Sequence, residues 1–246
     1  MRFIYFLIIA LLAISCSQSK MLQKSLSKYK APIGYLHDSK IVDCAKRDSL
    51  MVNLNTRSLD SLTSVSKING LVLPFLFFNY TEYNMRVKLG QGSIEEKFDD
   101  FFANSFIEES KRTGCFAIAN GALNDSLYVL DITIDSCTIT SRYQKSSTIL
   151  FLVFAYSYSF SEMGFPAETS LQVTTRLRKG KILIAEKNYL VKKTQPFLNS
   201  RNTGIEKLRS DFTANMVESL SLCTKECIEE MIIDLNKAIG NYKMRY

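Results

Sequence analysis

The chain has 246 residues, 46% hydrophobic and 22% charged, with a formal net charge of +7, ordinary proportions for a globular protein. Its single histidine, His37, lies in a polar segment, which leaves no Ser-His-Asp triad, Cys-His dyad or multi-histidine zinc centre to assemble. The mild positive charge implies attraction to anionic surfaces and nothing more specific, and the absence of any nucleic-acid-binding motif argues against nucleic acid as a partner.

Met1 and Arg2 open a short positive region, and residues 3–14 are apolar throughout. That run has the length of a signal-peptide core and is short of the roughly 20 residues a spanning helix needs. The string Ala13-Ile14-Ser15-Cys16 that ends it resembles the lipobox of bacterial lipoproteins. The resemblance implies cleavage before Cys16, a diacylglycerol on its thiol and an acylated amino terminus. Two or three acyl chains make release from a bilayer negligible. Ser17, where some families carry a sorting aspartate, implies the outer membrane, with the body facing the periplasm. The same stretch also reads as an ordinary secretory signal or a retained membrane anchor. Five cysteines remain besides Cys16: Cys44, Cys115, Cys137, Cys223 and Cys227. The count is odd, so at least one is unpaired within the chain, and the pairing stays open.

Residues 16–69 read as a polar tether and extension punctuated by Pro32-Ile33-Gly34, with a short helix over 58–68. Residues 70–80, GLVLPFLFFNY, are apolar on both faces and read as a strand that resumes over 84–89 after a break. Pro74 cannot donate to a ladder, which places it at an edge or bulge. The clearest helix lies within 90–114. Ser93 and Glu96 form its expected capping box; Ile94, Phe98, Phe101, Phe102 and Phe106 form a stripe at helical spacing; Gly114 is its expected cap.

Strands follow. Residues 115–119 begin one that resumes at Leu127, where Tyr128, Leu130, Ile132 and Ile134 alternate with Asp131, Thr133 and Asp135. The apolar parity then flips to Cys137 and Ile139, and a β-bulge near Asp135 accounts for it. Residues 148–161 read as one central strand. In the next, Leu171, Val173, Thr175 and Leu177 share a face opposite Arg176 and Arg178. Arg178–Lys181 is a tight turn with Gly180 supplying the positive φ, and 182–191 return. A long helix closes the chain, from a capping box of Thr203 and Glu206 along a stripe to Ile239, with Gly240 as its end and a break expected over 221–224.

This order predicts an α+β fold: a two-layer sandwich in which two helices cover one face of a mostly antiparallel sheet of four to five strands. The expected divisions are a signal peptide over 1–15, the lipidated tether and extension over 16–69, the sandwich domain over 70–240 and a tail over 241–246.

The passage FDDFFANSFIEESKRTGCF (98–116) followed by YVLDITI (128–134), behind a lipobox and a phenylalanine-rich strand, resembles envelope lipoproteins of the ABC-transport auxiliary and lipopolysaccharide-assembly families over about residues 70–239. The resemblance implies a non-enzymatic protein that binds a transporter, channel or lipid ligand at the outer membrane. It supplies no catalytic residue and no cofactor, and the extension before residue 70 has no counterpart in it.

The local constellations support the same expectation. Cys223 and Cys227, four apart on the apolar stripe, read as core thiols, not metal ligands. The string GQGS (90–93) reads as a turn and cap; it lacks the spacing and lysine of a P-loop. Arg176, Arg178, Lys179 and Lys181, with Lys192 and Lys193, cluster along one hairpin as a solvated face or a site for an anionic lipid. Tyr156 and Tyr158, with Arg176 and Arg178, are the expected docking surface for an envelope partner. The competing expectation is a hydrolase or transferase acting on envelope polymers through carboxylates such as Asp99-Asp100, Glu108-Glu109 or Glu229-Glu230; two facing carboxylates in a deep pocket would be its signature.

Overall fold

The computed structural model describes residues 24, 26, 28–36, 48–56, 65–73, 78–88, 90–119, 127–152, 155–195, 198–199 and 204–245. Cys16, Cys44 and the signal-peptide segment lie outside them. The strands are β1 (Asp48–Thr56), β2 (Val65–Leu73), β3 (Phe78–Lys88), β4 (Phe116–Ile118), β5 (Tyr128–Leu152), β6 (Ala155–Gly164), β7 (Glu168–Lys179), β8 (Ile182–Thr194) and β9 (Leu198–Asn199). Among the described residues two long helices accompany them, α1 (Phe98–Arg112) and α2 (Ile205–Arg245). The fold is α+β. Seven strands of nine residues or more and two short ones join in one mixed sheet.

β5, 25 residues long, is its spine. The first half of β5 runs parallel to β1 on one edge and antiparallel to β7 on the other. Its second half exchanges both neighbours, taking β3 and β6 instead. The sheet therefore has a body (β4-β1-β5-β7-β8) and an arm (β2-β3-β5-β6) joined through one strand.

The body owes its core to period-two alternation. Leu130, Ile132, Ile134, Leu171, Val173 and Leu177 are buried on the face under α2, and α1 and α2 share one continuous apolar cluster with it. The parity flip expected near Asp135 is present as a register shift between Ile134 and Ser136. Gly180 turns β7 into β8 at φ 56°. In α2, Leu208, Phe212, Met216, Leu220, Cys223 and Cys227 are all at most 2% exposed. Each fully buried aliphatic or aromatic side chain stabilises the fold by about 1.5–3 kcal/mol.

Several expected boundaries move. Residues 70–80 are not one strand: the chain reverses between β2 and β3, with Leu73 opposite Phe78, and Pro74 lies outside the described residues. Residues 148–161 are likewise two strands, reversing between Leu152 and Ala155. Val65–Ile68, expected in a helix, belong to β2. The extension read over 16–69 contributes to the body: Leu26, Ala31 and Ile33 are buried, and β1 lies between β4 and β5. The sheet is mixed because β1 runs parallel to β4 and β5; its other pairings are antiparallel, as expected, but it has more strands than the expected four to five.

Helix ends differ too. α1 starts at Phe98, after a 3₁₀ turn that buries Ser93. Its first N–H is capped by the Gln91 side chain, whose Oε1 accepts from Phe98 at 3.1 Å while Nε2 donates to the Glu96 carbonyl at 2.8 Å. Ile94 is buried through a bridge to Ala31, outside the helix. Gly114, at φ 68°, closes α1 as expected. α2 is one uninterrupted helix of 41 residues, about 60 Å long. It passes through 221–224 and Gly240 without ending. Thr203, half of its expected capping box, lies outside the described residues.

Candidate functional site

The same alternation that fills the core gives the opposite sheet face polar side chains, and among the described residues no helix lies over it. Register lines up Asn53 of β1, Asp131 of β5, Arg176 of β7 and Glu186 of β8 in one row across it. Asn53 Nδ2 donates to Asp131 Oδ1 at 3.0 Å, and Arg178 donates to the other oxygen of Asp131. Arg176 Nε donates to Glu186 Oε1 at 3.0 Å. Neighbouring Thr174 bonds to Asp135 and to Asn188, at 2.5 and 3.1 Å.

These contacts divide the predicted cationic cluster. Arg176 and Arg178 are committed to carboxylates on the open face. Lys179 turns to the helical side, its ammonium 5.1 Å from the Tyr128 ring and 5.7 Å from that of Tyr242. Lys181 is exposed in the turn, and Lys193 pairs with Glu226 of α2. Tyr158 is 58% exposed on the arm. By strand parity Tyr156 and Tyr158 share the face of Glu162, which α2 covers lower down, so they do not join Arg176 and Arg178 in one surface.

The open face carries instead a groove of about 680 Å³ where β5 exchanges β7 for β6, a volume in the range of small-ligand sites. Arg86, Arg142, Ser141, Phe165, Pro166 and Glu168 are among its walls. Two chain features build it. The junction between β6 and β7 closes on β5 by Phe165 N–H donating to the Arg142 carbonyl at 2.8 Å and Ser141 Oγ donating to the Phe165 carbonyl at 2.7 Å. The β3–β5 register then sets Arg86 directly across from Arg142. The Arg142 guanidinium stacks 3.6 Å from the centre of the Phe165 ring, which holds its planar fork in place. Like charges directly opposite in a sheet repel, and an anion between them removes that cost. On the arm side Glu82 accepts from Tyr80 and Asn84, each at 2.7 Å. Those hydrogen bonds, with Arg142 nearby, hold its carboxyl below the usual range. Arg86 and Arg142 are 56 positions apart in the sequence, and only the β3–β5 register brings them together.

The buried carboxylates have other roles. Glu162, fully buried, takes Nε and Nη2 of Arg209 at 2.9 and 2.5 Å and also accepts from Tyr143. This triad ties β5 and β6 to α2 at the base of the arm. Glu109 is fully buried and paired with Arg112 at 2.6 Å. Burial, with Glu109 and Glu229 beside it, pushes the Tyr35 phenol well above its ordinary range. A smaller hollow of about 260 Å³ between β8 and α2 holds Glu186 and Asp234, bonded to Arg176 and Lys187. Cys223 and Cys227 are buried free thiols, and burial pushes Cys223 up to about 12. Among the described residues no cluster of three or more His, Cys, Asp or Glu side chains is arranged to hold a metal. Cys115 is disulfide-bonded, to a cysteine outside the described residues.

Among the described residues this arrangement is an α+β fold with one sheet face covered by helices and the other without one. No family model matches the sequence, and no curated protein does. Among solved structures it is similar to a Xanthomonas campestris protein of the DUF330 family, with 11% identity over 87% of this chain and 98% of that one and a TM-score of 0.44. A likeness at that level carries no functional argument.

Proposed function

We propose that the protein is a lipid-anchored, non-catalytic component of the bacterial envelope that binds a partner through its open sheet face, with the Arg86–Arg142 groove receiving an anionic group. The observation that carries this reading is the groove itself. Neither helix contributes to its lining, and the β3–β5 register sets Arg86 opposite Arg142. The lipobox-like string ending in Cys16 supports the anchor, and the Cys115 disulfide agrees with an oxidising compartment. The reading keeps the body outside the cytoplasm, at the outer membrane.

Two measurements test it. Intact-mass analysis of membrane-extracted protein is expected to show cleavage before Cys16 with added acyl mass; a mature chain that begins elsewhere and washes off in buffer refutes the anchor. Cross-linking in native membranes is expected to capture an envelope partner or an anionic lipid, with the yield falling at least tenfold in an Arg86→Glu/Arg142→Glu protein of unchanged circular dichroism. The enzyme reading has one foothold here, Glu168 in the groove wall. Loss of function in a correctly localised Glu168→Gln protein would put that reading ahead.

A further inference from the structure

Charge on the open face is matched in one place and unmatched in another. In the body, Arg176 and Arg178 are exposed and yet each is paired, with Glu186 and Asp131. In the groove where β5 exchanges its neighbours, Arg86, Arg142 and Glu168 are exposed too. Among the described residues no hydrogen bond or ion pair engages either of these guanidinium groups or the Glu168 carboxylate.

Register fixes how the three unmatched charges are spaced. Arg86 is opposite Arg142 across β3–β5, and Glu168 is opposite Thr140 across β5–β7. Thr140 and Arg142 are two residues apart on one face of β5. Glu168 therefore lies one strand over and one pleat along from Arg142, about 8 Å between Cα positions. An arginine and a glutamate can pair across that distance, but Arg142 is stacked on the Phe165 ring instead. Phe165 and Pro166, in the junction that leads to Glu168, line the groove as an apolar wall. The groove thus carries a positive end, a negative end and a short apolar stretch beside them.

We propose that the groove binds a phosphoethanolamine group, with the phosphate ester on Arg86 and Arg142, the primary ammonium on Glu168 and the two methylenes against Phe165 and Pro166. The proposal deepens the anionic-groove reading above and rests on it. Guanidinium forks match phosphate oxygens, and Glu168 decides the rest. Inorganic phosphate or glycerol phosphate brings no cation, so the carboxylate stays unmatched and repels the anion. Phosphocholine brings a cation with no N–H for Glu168 to accept from. Quaternary ammonium groups are held by aromatic faces, and the one ring among the described lining residues, Phe165, already carries Arg142.

Processed full-length protein in neutral detergent is titrated calorimetrically, at one ionic strength, with O-phosphoethanolamine, inorganic phosphate, glycerol phosphate and phosphocholine. Phosphoethanolamine is expected to bind tightest, by about tenfold, the scale of one charged hydrogen bond. Glu168→Gln is expected to erase that margin and keep the affinity for phosphate. Because phosphate binding survives there, a complete loss of function in that variant still marks catalysis. Arg86→Ala/Arg142→Ala is expected to lose every ligand with unchanged circular dichroism. Protein reconstituted in phosphatidylcholine vesicles, with and without phosphatidylethanolamine, then separates two sources of the group. A phosphoethanolamine isotherm weakened by the lipid supports the proposal with a membrane headgroup as ligand; an unchanged isotherm supports it with a soluble or glycan-borne ester. Equal affinity for phosphate and phosphoethanolamine, or a margin that survives Glu168→Gln, overturns the proposal and leaves the anionic groove standing. Binding of none of the four probes overturns both.

Discussion

Body and arm share a strand and almost nothing else. In the body, β5 has a helix over one face and a polar ladder on the other, so each position has a side to be on. Leu130 and Ile132 are at most 1% exposed, and Asp131 between them pairs with Arg178. In the arm, beyond Ser146, the same strand loses its charges and then its alternation. One polypeptide strand thus records two surroundings, and the change occurs where Glu162, Tyr143 and Arg209 brace the base of the arm.

The comparison breaks first where packing differs most. Phe212 is 2% exposed, its ring 5.0 Å from that of Tyr143 in a T-shaped contact. Phe212→Ala is expected to cost about 3–5 kcal/mol in urea unfolding, whereas Tyr158→Ala on the arm is expected to change stability by less than about 0.5 kcal/mol. A similar loss at both sites would show the arm to be packed like the body.

Removing one partner at the brace comes next. Glu162→Gln strands the Arg209 guanidinium against a neutral amide, and about 3 kcal/mol should be lost, the usual scale for breaking a buried pair from one side. Limited proteolysis of that variant is expected to cut the arm before the body.

Alkali sharpens the contrast. Burial raises Cys137 and Cys223 to about 12 and lifts Tyr143 and Tyr189 well above the phenol range. All four stay protonated in the fold and ionise near 9 to 10 once unfolded. The native state therefore binds more protons above that range, and stability falls as pH rises. It is undiminished by these groups below about pH 9. Above the unfolded value each contributes a loss of up to about 1.4 kcal/mol per pH unit. Urea midpoints from pH 7 to 10.5 read this directly; a flat profile counts against the buried, neutral groups.

The smallest effect belongs to the open face. Arg176→Ala breaks an exposed pair with Glu186 and is expected to cost less than about 1 kcal/mol, measured by the same unfolding.

What could be read from the sequence was whatever carried a period or a special backbone. The stripe of α2, the bulge after Ile134 and the turn at Gly180 each follow from local pattern. The two arm hairpins did not, because residues apolar at both parities give no alternation to interrupt and neither reversal carries the Gly or Asn that marks a tight turn. β1 has a period of two, Leu50, Val52 and Leu54, but it sits in polar surroundings and its partners lie far along the chain. The groove was illegible for the same reason: Arg86 and Arg142 become neighbours only through the β3–β5 register. The pairing of Arg176 and Arg178 with acids on other strands likewise removed the cluster that counting basic residues had suggested.

The position of β1 has a mechanical consequence. It is parallel to both of its neighbours, held to β4 from Asp48 to Leu50 and to β5 from Leu50 to Thr56. A pull on the chain ahead of Asp48 acts along the strand axis. The hydrogen bonds on its two flanks are then loaded in shear and share the force, where a pull across the sheet would open them one at a time. A tether at Cys16, as proposed, would first load the Ala31–Ile94 bridge and the buried Leu26 and Ile33, and β1 would hold the chain in shear once those gave way.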